Sequence, residues 1–397
     1  MHFLKDWLDP DSMRRMDPFL LFTTLALLGF GIIMVYSASF VIAGQRFGDP
    51  YHFLKKQAIA ALVGMGLMFG VSRIDYHRWR VWALPALLLS LLLLAALLVP
   101  GFRQVIGGSA RWLRLWVFSF QPSEMAKLAL VIYMARSLAR KEDRMDSFTH
   151  GFLPPAVVLL VFFFLVIKQP DFGAGLVFAL VVFTLLFVAG TPLRYLLGAV
   201  LLALPAAYWI LTQASYRAKR WEIFWDPWSD PENAGFQLIQ SFLAFGAGKL
   251  SGVGLAQGRQ KLFYLPEIHT DFILSVIGEE LGFIGVMAVV ILFFIIIFRA
   301  FRTSLRAPDL FGTYLAVGIA ILLAVQILIH MGVALGLLPT KGSTLPFISY
   351  GGTSLVVNLT AVGILLNIST HRETMNHEDP DRRGRDGRSS LPRPGRR

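Results

Sequence analysis

Asp271 opens an apolar run long enough to cross a bilayer, within LPEIHTDFILSVIGEELGFIG, Leu265 to Gly285. Glu267 and His269 stand just before it, and Glu279 and Glu280 follow two turns deeper. An ionised carboxylate beside hydrocarbon is costly, so an acid there marks a functional site by default. The chemistry indicated is an active or transport site at a membrane surface. On a helix, Ser275, Gly278 and Gly282 would continue the stripe of Asp271. Such a small-residue face beside an acid leaves room for a ligand. A structural alternative exists, because the dipole of a helix N-terminus also favours an acid. For Glu279 and Glu280, salt bridges to Arg or Lys of neighbouring spans explain the residues better than direct catalysis.

Three further stretches carry charge at apolar borders. In GGSARWLRLWVFSFQPSEMAK, Gly107 to Lys127, Pro122 fits a first helical position and Glu124 falls in the first turn. Lys127, three residues on, can pair with Glu124. Arg111 and Lys127 are equally placed to bind an anion. KQPDFG, Lys168 to Gly173, reads as a polar turn between spans, with Asp171 able to face the same cavity. LPTKGSTLPFISYGGTS, Leu338 to Ser354, brings one cation, Lys341, into a loop stiffened by Pro339 and Pro346. Together these stretches gather carboxylates, cations and aromatics, as a substrate of phosphate, sugar and lipid requires.

The elements that must position these residues are set by composition. The chain has 397 residues, 55% of them hydrophobic, in several runs of about 20 residues with few or no charges. The fold class is therefore an all-α polytopic membrane protein. The first apolar run reads as a retained helix, with no small-residue cleavage site after it. No cysteine is present, which excludes disulfides, a thiolate nucleophile and zinc–thiolate sites. The net charge of +12 fits basic loops on one membrane side and attraction to anionic lipid headgroups. Nucleic acid is not an expected partner, since no soluble element interleaves basic and aromatic residues.

Ten spans are expected, near 18–42, 53–72, 81–99, 122–139, 151–167, 173–189, 193–213, 271–298, 310–336 and 350–369. An even number places both termini on one side. Loops with Arg73, Arg78, Arg80, Arg136, Arg140, Lys141, Arg144, Arg194, Arg299, Arg302 and Arg306 share that side, which predicts that it is cytoplasmic. The organisation is then a cytoplasmic segment 1–17, a membrane domain 18–370 and a disordered basic tail 371–397. A long outer loop, 214–270, lies between spans seven and eight. Within it, Phe236 to Phe245 is amphipathic, and GAGKLSGVGLAQGRQ, Gly246 to Gln260, reads as a flexible flap. The latter lacks the spacing of a phosphate-binding P-loop. No internal repeat of the transporter kind is visible.

Four motifs in order, FQPSEMAK, KQPDFG, LPEIHTDFILSVIGEELGFIG and LPTKGSTLPFISYGG, resemble the SEDS family of bacterial cell-wall proteins, the RodA/FtsW type. The likeness runs from about Asp17 to Thr370, and GVALGLLPTKGSTLPFISYGG resembles the division branch, FtsW, more than the elongation branch. The resemblance implies a ten-helix peptidoglycan glycosyltransferase that polymerises lipid II on the outer leaflet of the bacterial cytoplasmic membrane. It implies that Asp271, in HTDF, is the essential acid, either as general base or as ligand of a divalent cation (Mg or Mn), with no organic cofactor. Arg111 and Trp112 match the family's RW pair, and Gln121 to Lys127 its QPSE-x-x-K motif. Arg111, Trp112, Glu124, Lys127, Asp171, Glu267, His269, Lys341 and Ser349 form the expected substrate-binding set. The common SYGGSS ending reads SYGGTS here, which keeps the hydroxyl at Thr353. Expected partners are a class B penicillin-binding transpeptidase and small single-span divisome proteins. A lipid II flippase, a non-catalytic scaffold for the transpeptidase and an ion-coupled transporter are the alternatives. The charges singled out cluster toward the outer side, whereas a flippase needs them along the whole path.

Overall fold

The computed structural model describes residues 16–99, 103–106, 109–115, 118–213, 215–261 and 268–371. The expected cytoplasmic segment, apart from Met16 and Asp17, the basic tail beyond His371, and Glu267 lie outside the described residues. Ten helices follow the ten expected spans, and among the described residues seven of them are long and apolar enough to cross a membrane. They are α1 (Pro18–Phe47), α2 (His52–Ser72), α3 (His77–Ala96), α4 (Pro122–Ala139), α5 (Leu153–Lys168), α6 (Phe172–Val188) and α7 (Leu193–Gln213). After two helices of the long loop, α8 (Ser215–Trp225) and α9 (Phe236–Gly248), come α10 (Ile273–Ser304), α11 (Leu310–Ala334) and α12 (Gly352–Thr370).

The helices start and stop where local chemistry directs. Asp17 caps α1 by accepting from the backbone N–H groups of Phe19 and Leu20, with Pro18 at the first position. Asp309 caps α11 through Gly312 N, and Asp171 caps α6 through Ala174 N. The spans present large apolar side chains outward, such as Leu88, Leu92, Leu201, Leu202 and Phe294, as helices facing hydrocarbon do. α11 is the most enclosed, packed by α4, α6, α10 and α12.

Buried polar staples tie the helix ends remote from the four motifs. The Asp17 carboxylate pairs with Arg299, and its backbone N–H donates to Ser369 Oγ. Asn367 accepts from the N–H of Tyr76 and donates to the carbonyl of Ser72.

Two departures from the expected architecture matter for the site. The segment expected as a plain loop before α4 forms an antiparallel sheet, β1 (Arg103–Ile106), β2 (Ser109–Leu115) and β3 (Phe118–Phe120), in the order β1-β2-β3. Its β-rich sequence, with Val, Ile, Trp and Phe over short intervals, satisfies its own backbone groups by pairing. The second departure is in α10, which breaks at Gly282 (φ 66°, ψ −164°). Only glycine takes that backbone conformation without strain.

Candidate functional site

The charged motifs meet at one end of the bundle. Sheet strand β2 projects Arg111 toward the turn before α6: its Nη2 donates to the carbonyl of Pro170 at 2.5 Å, and Nη1 lies 3.9 Å from Asp171 Oδ1. Asp171 is 4% exposed and also faces Ser123 Oγ, 3.5 Å away, on the first turn of α4. One turn on, Lys127 Nζ donates to Glu124 Oε1 at 2.7 Å, with both side chains buried. The expected Glu124–Lys127 pair at the start of α4 is thus present, behind Pro122 at the first position and without a side-chain cap, and it stands beside the Arg111–Asp171 contact. Trp112 follows Arg111 on β2, pairs with Gln104 across the sheet and is half-buried. Alternation along the strand turns it to the opposite face.

Lys341 joins this group from the loop between α11 and α12. Its stem crosses Gly173 so closely that a Cβ there would lie 1.6 Å from Lys341 Cε. Its ammonium feels the charges of Asp171, Lys127, Glu124 and Arg111. Burial lowers its pKa to about 8, against the raising effect of Asp171. The result is a cluster of three cations and two acids. Arg111 Nε and Glu124 Oε2 have no hydrogen-bond partner among the described residues. Forked guanidinium donors and an ammonium are suited to phosphate oxygens.

Asp271 meets the loop that carries Lys341. It occupies a turn just before α10, whose N-cap is Phe272, rather than the helix itself. The side chain is half-buried and rests on the loop residue adjacent to Lys341: a Cβ on Gly342 would sit 2.8 Å from Asp271 Oδ2. The turn and the loop are laced together. Ser349 Oγ donates to the carbonyl of Thr270 at 2.7 Å and accepts from Leu345 N, while Tyr350 N donates to the carbonyl of His269. The Ser349 hydroxyl therefore holds the Asp271 turn against the loop. His269 packs its ring against Phe53 and Tyr350, 4.4 and 5.5 Å between centroids. Burial, with the nearby charge of Arg46, lowers its pKa to about 4, so it stands neutral near pH 7.

The stripe below Asp271 is filled, which corrects the expectation of ligand room there. Ser275 Oγ is hydrogen-bonded to Ser241 of α9 at 2.6 Å. Gly278 is covered by Phe245, and Gly282 by Leu250 and Gly252. Helix α9 fills the stripe at Ser275 and Gly278, and the supposed flap fills it at Gly282. Val253 N and Gly254 N donate to the carbonyls of Glu279 and Glu280, and the carbonyls of Lys249 and Leu250 accept from Phe283 N and Ile284 N. The break at Gly282 thus exposes backbone groups that the glycine-rich segment satisfies, as helix interruptions between protein elements in membranes require. Glu279 accepts from the N–H of Arg259 and Gln260. Glu280, fully buried, accepts from Ser37 Oγ, Ala256 N and Lys261 Nζ at 2.6, 3.0 and 2.8 Å. Its cationic partner comes from the long loop, not from a neighbouring span as expected.

Residues that sequence reading passed over complete the site. Gln57, fully buried in α2, donates to the carbonyl of Ser349 and accepts from Gly351 N. Ser123 faces Asp171, and Arg46 approaches His269. A polar amide in an apolar span was the available signal for Gln57. Among the described residues no group of three His, Asp or Glu could hold a metal ion. Magnesium commonly uses one or two carboxylates with substrate phosphates, so Asp271 beside an anion site fits a cation that the substrate helps to bind.

The geometry defines a polytopic membrane protein with an acid and a cation-rich cluster at one helix-bundle end. The family model described as "Cell cycle protein", FTSW_RODA_SPOVE, matches residues 18–374, and the chain belongs to this family. It is 51% identical to a "Probable peptidoglycan glycosyltransferase FtsW" from Trichlorobacter lovleyi, over 91% of this chain and 94% of that protein. It is 43% identical to "Stage V sporulation protein E" of Bacillus subtilis, over 89% and 97%. Among solved structures, a chain from "Structural coordination of polymerization and crosslinking by a peptidoglycan synthase complex" superposes with TM-score 0.74 at 32% identity, covering 90% of this chain and 99% of that one. Thermus thermophilus rod shape determining protein RodA gives TM-score 0.67 at 29% identity, covering 92% and 99%. The higher identity to FtsW relatives places the chain with the division branch.

Proposed function

We propose that this chain is a peptidoglycan glycosyltransferase that polymerises lipid II into β-1,4 glycan strands for the division septum. The observation that carries the reading is that one loop brings Lys341 to the charges of Arg111 and Lys127 and lays Gly342 against the Asp271 carboxylate. An inverting transfer from an α-linked pyrophosphate needs a base on one side and an anion site on the other. The acceptor 4-hydroxyl oxygen bonds to the donor anomeric carbon, and the bond from that carbon to pyrophosphate breaks. The hydroxyl proton passes to the Asp271 carboxylate, and undecaprenyl pyrophosphate departs. Arg111, Lys127 and Lys341 offset the charge that develops on the leaving oxygens. Asp171 and Glu124 orient those cations, and Trp112 follows Arg111 on the other face of β2. A divalent cation bound by Asp271 and the pyrophosphate would supply further neutralisation of that charge.

In this reading the site end faces outward, and both termini are cytoplasmic. The likeness to a chain of a peptidoglycan synthase complex supports a transpeptidase partner that cross-links the strands. The buried acids Glu279 and Glu280 are engaged by residues 253–261, which weakens the case for a charged path through the bundle.

The test is glycan-strand synthesis from purified lipid II by the full chain with its partner transpeptidase. Wild type should make polymer, and Asp271→Ala should make none while remaining folded. Full activity in Asp271→Ala removes Asp271 from the chemistry. No polymer from a folded wild-type complex turns the reading toward lipid II translocation. Loss of activity on chelation, restored by Mg or Mn, assigns Asp271 to metal binding.

A further inference from the structure

His330 lies one turn from the end of α11, fully buried in an apolar helix. Its Nδ1 is 2.7 Å from the carbonyl oxygen of Ser343. A carbonyl can only accept, so Nδ1 carries the proton. Its Nε2 has no hydrogen-bond partner among the described residues. An imidazole in such a place is costly unless its polar atoms serve a purpose. Here one atom serves Ser343, the last residue of the tripeptide Lys341–Gly342–Ser343.

That tripeptide links the two halves of the site. Lys341 runs over Gly173 to the Arg111–Asp171 and Lys127–Glu124 contacts, and Gly342 backs the Asp271 carboxylate. It belongs to neither a helix nor a strand, so side chains must hold it. Thr344 is fixed to Ser354 Oγ at 2.9 Å, one residue beyond. The bond from His330 sets the carbonyl of Ser343 and with it the Ser343–Thr344 peptide, the C-terminal anchor of the tripeptide.

We infer that His330 is a positioning residue for glycosyl transfer, acting through its Nδ1–H bond to Ser343 to hold Lys341 and Asp271 in mutual register. This rests on the glycosyltransferase reading above. Small displacements of reacting groups cost rate far more than they cost folding.

Three variants in the full chain with its partner, assayed for strand synthesis from purified lipid II, separate the bond from mere packing. His330→Asn keeps a donor nitrogen at the Nδ1 position, His330→Gln moves it to the Nε2 position, and His330→Leu keeps bulk alone. Asn should stay within about threefold of wild type. Gln and Leu should lose about tenfold or more in kcat, with little change in KM and an unchanged unfolding temperature. Wild-type rates in Gln or Leu, or an Asn variant as impaired as Leu, overturn the inference. If Leu fails to fold, the Asn and Gln variants alone decide. Polymer from wild type with His330 variants unaffected defeats this inference only, whereas no polymer from wild type defeats the glycosyltransferase reading as well.

Discussion

Asp271 and Glu280 are carboxylates nine residues apart along one chain segment, yet their surroundings are opposite. Glu280 is fully buried and accepts from Ser37, Ala256 and Lys261. Asp271 is half-exposed, set in a turn and laid against the loop that delivers Lys341. A buried carboxylate enclosed by donors is a structural anchor, because breaking its contacts leaves a charge without water. A half-exposed carboxylate on the loop that carries Lys341 can exchange a proton or meet a metal. Residue type and depth in an apolar sequence are therefore insufficient to mark chemistry. What distinguishes the two acids is burial and position: Glu280 is sealed among α1 and the long loop, and Asp271 lies half-exposed against the Lys341 loop.

The largest effect that sharpens this contrast is in activity at Asp271. Asp271→Asn keeps the shape and removes the base, so strand synthesis should fall about 10²–10⁴-fold. Its unfolding temperature should match that of wild type, and an active Asn variant would contradict proton abstraction by this residue. At Glu280 the stability should move instead. Glu280→Ala should destabilise the protein by about 3–5 kcal/mol, measured by unfolding in detergent, because Lys261 is left buried and unpaired. Joint replacement, Lys261→Met with Glu280→Leu, should recover most of that loss. A Glu280→Ala protein that is fully stable but inactive would collapse the distinction between the two acids.

A smaller effect is expected where the two halves of the site touch. Gly342→Ala places a methyl 2.8 Å from Asp271 Oδ2, so the carboxylate must shift. Overpacking of this kind costs about 1–3 kcal/mol, which should appear in kcat as roughly ten- to hundredfold. An unimpaired Ala variant would show that the Gly342 contact does not set Asp271. The smallest effect is in pH dependence. Lys341 is charged below its lowered pKa of about 8 and loses its charge as pH rises through that value. Substrate binding should therefore weaken on the alkaline side, read as a rising KM for lipid II. Lys341→Arg, which stays charged, should flatten that limb even if it lowers the rate at neutral pH. An unchanged alkaline limb would assign it to another group.

The sequence also misled in ways that have a physical cause. A helical wheel drawn through Asp271, Ser275, Gly278 and Gly282 takes small residues as space for a ligand. Small residues equally permit close packing of backbone, and here Phe245 and Gly252 use that space. The glycine content of residues 246–260 suggested flexibility, because it says nothing about the unsatisfied peptide groups at the Gly282 break that hold the segment in place. The sheet before α4 was legible only as a long loop, since pairing of strands this short depends on partners brought in by the turn.

The sequence by itself determined where ten helices run, the proline at the start of α4 and the family. Those follow from local rules: hydropathy over about 20 residues, a proline or acid at a helix start, and motifs of fixed spacing. Only the tertiary structure decided that Asp271 meets the Lys341 loop and that Glu280 is sealed away. It also decided that Lys341 reaches Asp171 across Gly173, that Ser349 ties the Asp271 turn to the next loop, and that His330 holds Ser343. Residues 171, 271 and 341 are far apart along the chain, and their meeting depends on how ten helices pack. Burial, hydrogen-bond saturation and the fields of neighbouring charges arise only from that packing.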